Sequence, residues 1–385
     1  MIAPPRSPLI YAAAGAAGMM VGMGIGRFIY TPILPGMMHA LGLSASDAGL
    51  IASANYLGYL IGAFVAAGRW AEGREHNVAL GSLVASTVLT GTMAMTDSVA
   101  AFLAIRFLAG VASAFMMVFM STIVFSRLAR AGRSDLSAWH FSGVGGGMAI
   151  SALVTGLLGY MAASWRADWL AGAVVSAIGV LIVYMLLDRE PGASTRPVPE
   201  PNLSMTGAMG RITLAYGLFG FGYIVTATFL VAIVRQDGLG VEFESIVWIA
   251  AGLAGVPSVW LWGKMVGRWG LARVFAVGCV VEAIGVVASV TVGGYAGPLI
   301  GGVLLGGTFI AITAFGLQFG RQIAGASPRR ALALMTAAFG VGQIIGPIAA
   351  GAIADRTGNF TAASLLASVV LLVAAFVAYG AGKRV

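Results

Sequence analysis

Two arginines stand where arginine is costly. Arg27 lies within MVGMGIGRFIYTPIL and Arg106 within FLAIRFLAGV, and a charged side chain at the centre of a membrane helix costs roughly 2.5–3.5 kcal/mol on insertion scales. Arg27 is nine residues before Gly36, read as the end of the first apolar stretch, and Arg106 is about eight residues into the fourth. A rise of 1.5 Å per residue places both at a depth of about 12–14 Å. No acidic residue of the first six stretches lies at that depth, because Asp47, Asp97 and Asp168 all fall near stretch boundaries. A guanidinium offers a planar fork for a carboxylate. The expected counter-charge is therefore an anionic substrate, with Arg27 and Arg106 as its clamp. In the alternative reading each arginine bonds backbone carbonyls or holds a helix end.

Uncharged hydrogen-bonding groups accompany them. Tyr30 and Thr31 share the Arg27 face by three- and four-residue spacing, and Thr226 shares the Tyr223 face in the same way. Asn55 and Tyr59 sit on the second stretch, Gln318 on the tenth and Gln343 on the eleventh. The expected cavity is asymmetric, with a charged N-terminal side gripping the anionic head and an aromatic, polar C-terminal side reading the remainder. For coupling, Glu282 is the one acidic residue near the middle of a stretch, and His140 lies a few residues into the fifth. Both residue types recur in proton relays, although a peripheral ninth helix makes a structural role for Glu282 the stronger expectation.

Other chemistry has no support in the chain. It contains no Gly-x-x-x-x-Gly-Lys-Ser/Thr phosphate loop. Three histidines and the single Cys279 give no metal motif and no intrachain disulfide. Neither cofactor nor metal is expected, and no enzyme constellation appears.

The elements that must position these groups follow from composition. With 59% hydrophobic and 9% charged residues and a mean hydropathy of +0.93, the chain departs from soluble domains, which carry about 25% charged residues. Spans of roughly 20 apolar residues start near residues 10, 47, 78, 98, 136, 167, 209, 244, 273, 297, 331 and 360. These runs lack the alternation of a barrel strand, and lipid requires backbone groups to be satisfied internally, so the spans are helices. The pattern repeats at an offset of about 197 residues: Gly24-Ile25-Gly26-Arg27 answers to Gly220-Phe221-Gly222-Tyr223, Asp47 and Gly58 to Glu244 and Gly255, Arg106 and Gly110 to Val303 and Gly307, and Gly143-Val144-Gly145 to Gly340-Val341-Gly342. The expected fold is all-α, with twelve transmembrane helices in two pseudo-symmetric six-helix bundles. Residues 1–188 form the first bundle, 189–206 a proline-rich cytoplasmic linker and 207–385 the second. Parallel six-helix repeats are a plan of secondary transporters, with substrate held between the halves.

The net charge of +8 does not indicate nucleic acid, because the basic residues are spread between spans. With a cytoplasmic N-terminus, seventeen Lys and Arg fall in inner loops and tails and three, Arg166, Arg235 and Arg356, in outer loops. That bias predicts an inner-membrane protein with both termini in the cytoplasm. Residues Met1 to Pro8 lead straight into a full-length span and are read as its start, not as a removed signal. Small residues at helical spacing, namely Gly143, Gly147 and Ser151, Gly58 and Gly62, and Gly342 and Gly346 before Pro347, predict close helix seams. Membrane lipid and a small-molecule substrate are the expected partners of a monomer.

The segments Gly24 to Pro32 (GIGRFIYTP), His140 to Gly145 (HFSGVG) and Phe339 to Pro347 (FGVGQIIGP) resemble the major facilitator superfamily over essentially the whole chain, and more narrowly its bacterial YbfB/YjiJ-like branch. Arg106 with Gly110 is similar to the fourth-helix motif of that superfamily, whose arginine is implicated in substrate or proton coupling. The resemblance implies alternating access by rocking of two bundles. One departure is clear: the superfamily's loop after helix two places an aspartate before a basic residue and a glycine, whereas here the stretch reads Gly68-Arg69-Trp70-Ala71-Glu72-Gly73-Arg74. The later loop keeps Gly263, Arg268 and Gly270 but has Gly267 where that aspartate is expected. The expected function is secondary transport of a small organic anion, with proton coupling as a finer expectation and its direction left open, since symport and antiport use the same scaffold. A proton-antiport exporter of drugs or metabolites is the alternative, and a membrane receptor or intramembrane enzyme the alternative of another class.

Overall fold

A computed structural model describes residues 7–188 and 200–382 of the chain, and among these every regular element is helical. The spans are α1 (Pro8–Leu41), α2 (Ala45–Ala66), α3 (Glu75–Met95), α4 (Val99–Arg130), α5 (Ser134–Tyr160), α6 (Trp165–Leu186), α7 (Gly207–Gln236), α8 (Val241–Gly255 with Ser258–Trp269), α9 (Leu271–Thr291), α10 (Ala296–Ala324), α11 (Pro328–Thr357) and α12 (Thr361–Gly382). Eleven are single spans; α8 is bent by 45° at Val256 and Pro257, where proline supplies no N–H to the helix ladder. Each start falls within three residues of its expected position.

One boundary is corrected. The first span was expected to end at Gly36, but the helix continues to Leu41 and stops at Gly42, whose φ of +64° suits glycine. Ser44 then opens α2 through a capping box with Asp47.

Of the expected linker, residues 189–199 lie outside the described residues, as do five of the seventeen basic residues assigned to inner loops and tails, namely Arg6, Arg189, Arg196, Lys383 and Arg384. Residues 200–206 run back onto the start of α11. The Ser327 hydroxyl donates to Pro201 O at 2.9 Å, and the Arg329 amide to the Glu200 carboxylate at 3.0 Å. Thr206 then caps α7 by accepting from the Met209 amide.

Small residues set the packing. Within the first bundle, a Cβ at Gly58 would overlap Phe107 O, one at Gly110 would overlap Asn55 O, and one at Gly143 would overlap Ala16 O. Within the second, Gly342 packs on Gly217 O and Gly306 on Ala251 O. In lipid, helix association comes from such close packing. The two bundles meet along two long seams. On one, Gly49 of α2 lies on Pro347 O, and Gly351 of α11 lies on Ala45 O. On the other, Gly145 of α5 lies on Gly252 O of α8. These cross-bundle contacts lie from mid-span toward the arginine-poor end, the end that carries only Arg166, Arg235 and Arg356. Two of those three are paired within their own bundles, Arg166 with Asp97 and Arg235 with Glu244.

Candidate functional site

The centre of the molecule is organised by an interruption in α1. Pro8–Met19 is α-helical, Met20–Ile25 is π-helical, and regular helix resumes at Tyr30. Pro32 has no amide hydrogen, so the Phe28 carbonyl accepts instead from the Thr31 amide at 3.2 Å. In an unbroken helix that amide would serve the Arg27 carbonyl, which is thereby freed. Gly24 and Gly26 let this segment lie close against its neighbours, since a Cβ on Gly24 would meet Gly147 Cα at 2.6 Å and one on Gly26 would meet Ser86 Oγ at 2.5 Å.

Arg106 fills the gap. Its Nη1 donates to Gly26 O at 3.1 Å and its Nη2 to Arg27 O at 3.0 Å. Its guanidinium also lies 5.1 Å from the centroid of the Tyr30 ring, whose hydroxyl donates to Ala48 O at 2.9 Å. Asn55 Nδ2 donates to Arg106 O at 3.0 Å, fixing the opposite side of the same residue. The expectation that both arginines lack an internal partner is therefore corrected for Arg106, which holds two main-chain carbonyls of α1.

Arg27 is different. It is 3% exposed, and its Nε and Nη2 have no hydrogen-bond partner. Around the guanidinium stand Tyr56 at 4.6 Å, Tyr59 at 4.8 Å and Phe28 at 5.7 Å, measured to ring centroids. Cation–π contact of this kind offsets part of the burial cost. No described carboxylate forms an ion pair with it.

The second bundle presents a stack of rings to this cage. Tyr223 lies face to face with Phe309 (5.6 Å, 7°), with Phe339 (5.6 Å, 11°) and with Phe219 (5.2 Å, 20°). Phe28 meets Phe309 edge-on at 5.6 Å, so the rings of the two bundles are in direct contact. Gln343 Nε2 donates to the Tyr223 hydroxyl, leaving Gln343 Oε1 without a partner. Thr31 of α1 donates to Ala227 O of α7 at 2.6 Å, and the neighbouring hydroxyls of Thr226 and Thr228 are buried and unpartnered. Arg27, Tyr30, Asn55, Tyr59, Arg106, Tyr223 and Gln343 are thus linked through one chain of contacts, with Thr226 beside it.

Three expected residues lie elsewhere. Gln318 is exposed on α10, nine residues beyond Phe309 and therefore about 14 Å nearer the arginine-rich end; it is no part of the cluster. His140 is fully buried near the arginine-rich end of α5, with Nε2 3.0 Å from Ser121 Oγ and its ring edge-on to Phe125 and Phe141. Glu282 is fully buried between α9 and α10; its Oε2 accepts from Thr308 Oγ1 at 3.1 Å, and its Oε1 has no partner. Phe28, Tyr56, Phe309 and Thr228 were not anticipated. Phe28 and Tyr56 adjoin expected residues in sequence, whereas nothing in the sequence around Phe309 marks it.

A family model described as "Uncharacterised MFS-type transporter YbfB" matches residues 19–379. No curated protein matches the sequence. Among solved structures, the nucleoside transporter NupG is similar with a TM-score of 0.71 at 17% identity, over 98% of this chain and 99% of that one. A bacterial homologue of the human lysosomal transporter Spinster, inward-facing and occupied, gives 0.70 at 13% identity, over 98% and 96%. At these identities the likeness is one of fold.

Proposed function

Because the chain belongs to the YbfB-type family of major facilitator superfamily transporters, and is a multi-pass membrane protein and not an enzyme, we propose that its cargo is a small organic anion, such as a carboxylate, bound at Arg27 between the bundles. The observation that carries this reading is the pair of buried, unpartnered donors on Arg27, with no described carboxylate to neutralise them. A carboxylate accepts two N–H groups of one guanidinium in parallel, and the aromatic walls favour a cargo with a planar or apolar body. Asn55 and Arg106 hold the broken segment of α1 in place, while Tyr223, Gln343 and Thr226 supply the facing wall. Transport proceeds by alternating access as the two bundles, residues 1–188 and 207–385, rock about this level.

The membrane is the bacterial inner membrane, and the arginine-rich end is cytoplasmic, as are both termini; the charge bias between loops supports this. The cross-bundle contacts then lie on the periplasmic side, which makes this an inward-facing arrangement. For coupling, Glu282 is the preferred proton carrier over His140. Its partner Thr308 directly precedes Phe309, which stacks on Tyr223, so a change at Glu282 acts on the wall of the site. The antiport exporter uses the same machinery with the opposite sign of coupling.

The test is uptake of a carboxylate panel into proteoliposomes, with and without an imposed pH gradient. Saturable uptake of at least one carboxylate, but not of its neutral amide, is expected. A Glu282→Gln variant is expected to retain exchange and to lose gradient-driven accumulation. Equal movement of carboxylate and amide would remove the anion reading.

A further inference from the structure

We infer that Asp355 is the latch of the gate between α2 and α11, and that its carboxylate sets how often the arginine-poor end of the transporter opens. Asp355 lies near the end of α11 in the second bundle. Its Oδ1 accepts from the Ala45 amide at 2.9 Å and its Oδ2 from the Ser46 amide at 3.0 Å, both in the first turn of α2 in the other bundle. Amides of a first turn have no partner within their own helix, and they form the positive end of its dipole.

The capping of α2 is divided between the two bundles. Its own box serves two positions: the Ser44 amide donates to the Asp47 carboxylate at 3.1 Å, and the Asp47 amide to Ser44 Oγ at 3.0 Å. The two amides between them, at Ala45 and Ser46, are left for Asp355. Each carboxylate oxygen takes one, which fixes its orientation as well as its distance. The fit requires helix contact, because a Cβ on Gly351 would overlap Ala45 O and one on Gly49 would overlap Pro347 O. The latch therefore forms only when this seam is closed, and it is lost as the seam parts. Water can then take over both amides at the surface, so the latch holds the seam without sealing it permanently.

The pseudo-equivalent seam between α5 and α8 has no counterpart among the described residues. There Gly156 packs on Ser245 and Gly159 on Val241, and Glu244, an acid in the first turn of α8, is paired with Arg235 of its own bundle. One seam is bridged by a carboxylate of the opposite bundle; the other, among the described residues, is not. The sequence bears the same asymmetry: Gly351-x-x-x-Asp355-Arg356-x-Gly358 has an aspartate where the otherwise matching Gly263-x-x-x-Gly267-Arg268-x-Gly270 after α8 has glycine, and the stretch after α2 lacks that aspartate as well. The carboxylate is present at the opposite end of the molecule, where it favours closure of the arginine-poor side.

The experiment measures the gate directly and in the absence of any solute, so it stands apart from the anion reading. Met95 and Tyr295, 80% and 61% exposed at the arginine-poor end of the two bundles, are replaced by spin-labelled cysteines in a Cys279→Ala background, and their separation is recorded in nanodiscs. Asp355→Asn is expected to raise the long-distance population about tenfold or more, as loss of a charge-assisted bond does. Ala45→Pro removes one donor from the other side. Proline is tolerated at the first helical position, and the preceding Ser44 is already extended at ψ 165°, so this change is expected to open the gate without unfolding α2. Adding Ala45→Pro to Asp355→Ala, which has no acceptor left for either amide, should open the gate no further than Asp355→Ala alone. Unchanged distance distributions in the single variants, or strictly additive effects in the double variant, would overturn the assignment.

Discussion

Arg106 holds the main chain of Arg27: its Nη2 lies 3.0 Å from the Arg27 carbonyl and its Nη1 3.1 Å from that of Gly26. One arginine thus uses its charge to fix a broken helix, and the other is presented by that helix with two donors unfilled. The two residues have different tasks although the sequence places them at one level.

This division predicts opposite signatures on mutation. Arg106→Ala leaves two buried carbonyls without donors and is expected to destabilise the protein by about 3 kcal/mol or more. Arg106→Lys, a point charge without the fork, recovers only part. Arg27→Ala is expected to cost much less stability while abolishing saturable anion uptake. Thermal unfolding in detergent, read alongside uptake, separates the two.

Helix seams give a second prediction. A Cβ at Gly110 would overlap Asn55 O, whereas one at Gly81 meets nothing within 4 Å. Gly110→Ala is expected to cost roughly 1–3 kcal/mol through overpacking. Gly81→Ala is expected to be neutral or stabilising by up to about 1 kcal/mol, through helix propensity. Comparison of their melting temperatures checks the contrast.

The ring stack yields a third. Tyr223→Phe keeps the face-to-face contacts with Phe309 and Phe339 but removes the hydroxyl that accepts from Gln343. It is expected to raise KM several-fold with little change in melting temperature. Tyr223→Ala also empties the stack and is expected to lose about 3–5 kcal/mol of stability. Transport kinetics and unfolding of the pair distinguish a wall of the site from mere core.

Much of this was legible in the sequence. Twelve apolar spans and the offset of about 197 residues located the helix starts to within a few residues, because span length is imposed by the bilayer. Residue counting put Arg27 and Arg106 at one level only by ending the first span at Gly36, whereas the helix runs on to Leu41; it is the bonds from Arg106 to the Gly26 and Arg27 carbonyls that bring the two together. What Arg106 does there was not legible, because it depends on the Thr31 amide turning to the Phe28 carbonyl beside Pro32, a local choice that periodicity does not encode. Gln318 was placed by type and span, yet its position along α10 sets it apart from Phe309. Phe309 itself was missed, because one aromatic among many apolar residues carries no mark of which helix it faces. Asp355 was missed as well, since its partners are main-chain amides of α2, which leave no signature in residue types.

Arg27, with two buried donors unfilled, is the proposed place of the anion. The most direct measurement is saturable carboxylate uptake by wild type, Arg27→Lys and Arg27→Gln in matched proteoliposomes. Uptake is expected to fall about tenfold to a hundredfold in Arg27→Gln, the cost of a charged hydrogen-bonded pair, with partial retention in Arg27→Lys. Wild-type uptake by the glutamine variant, at the same protein density and stability, would contradict the claim.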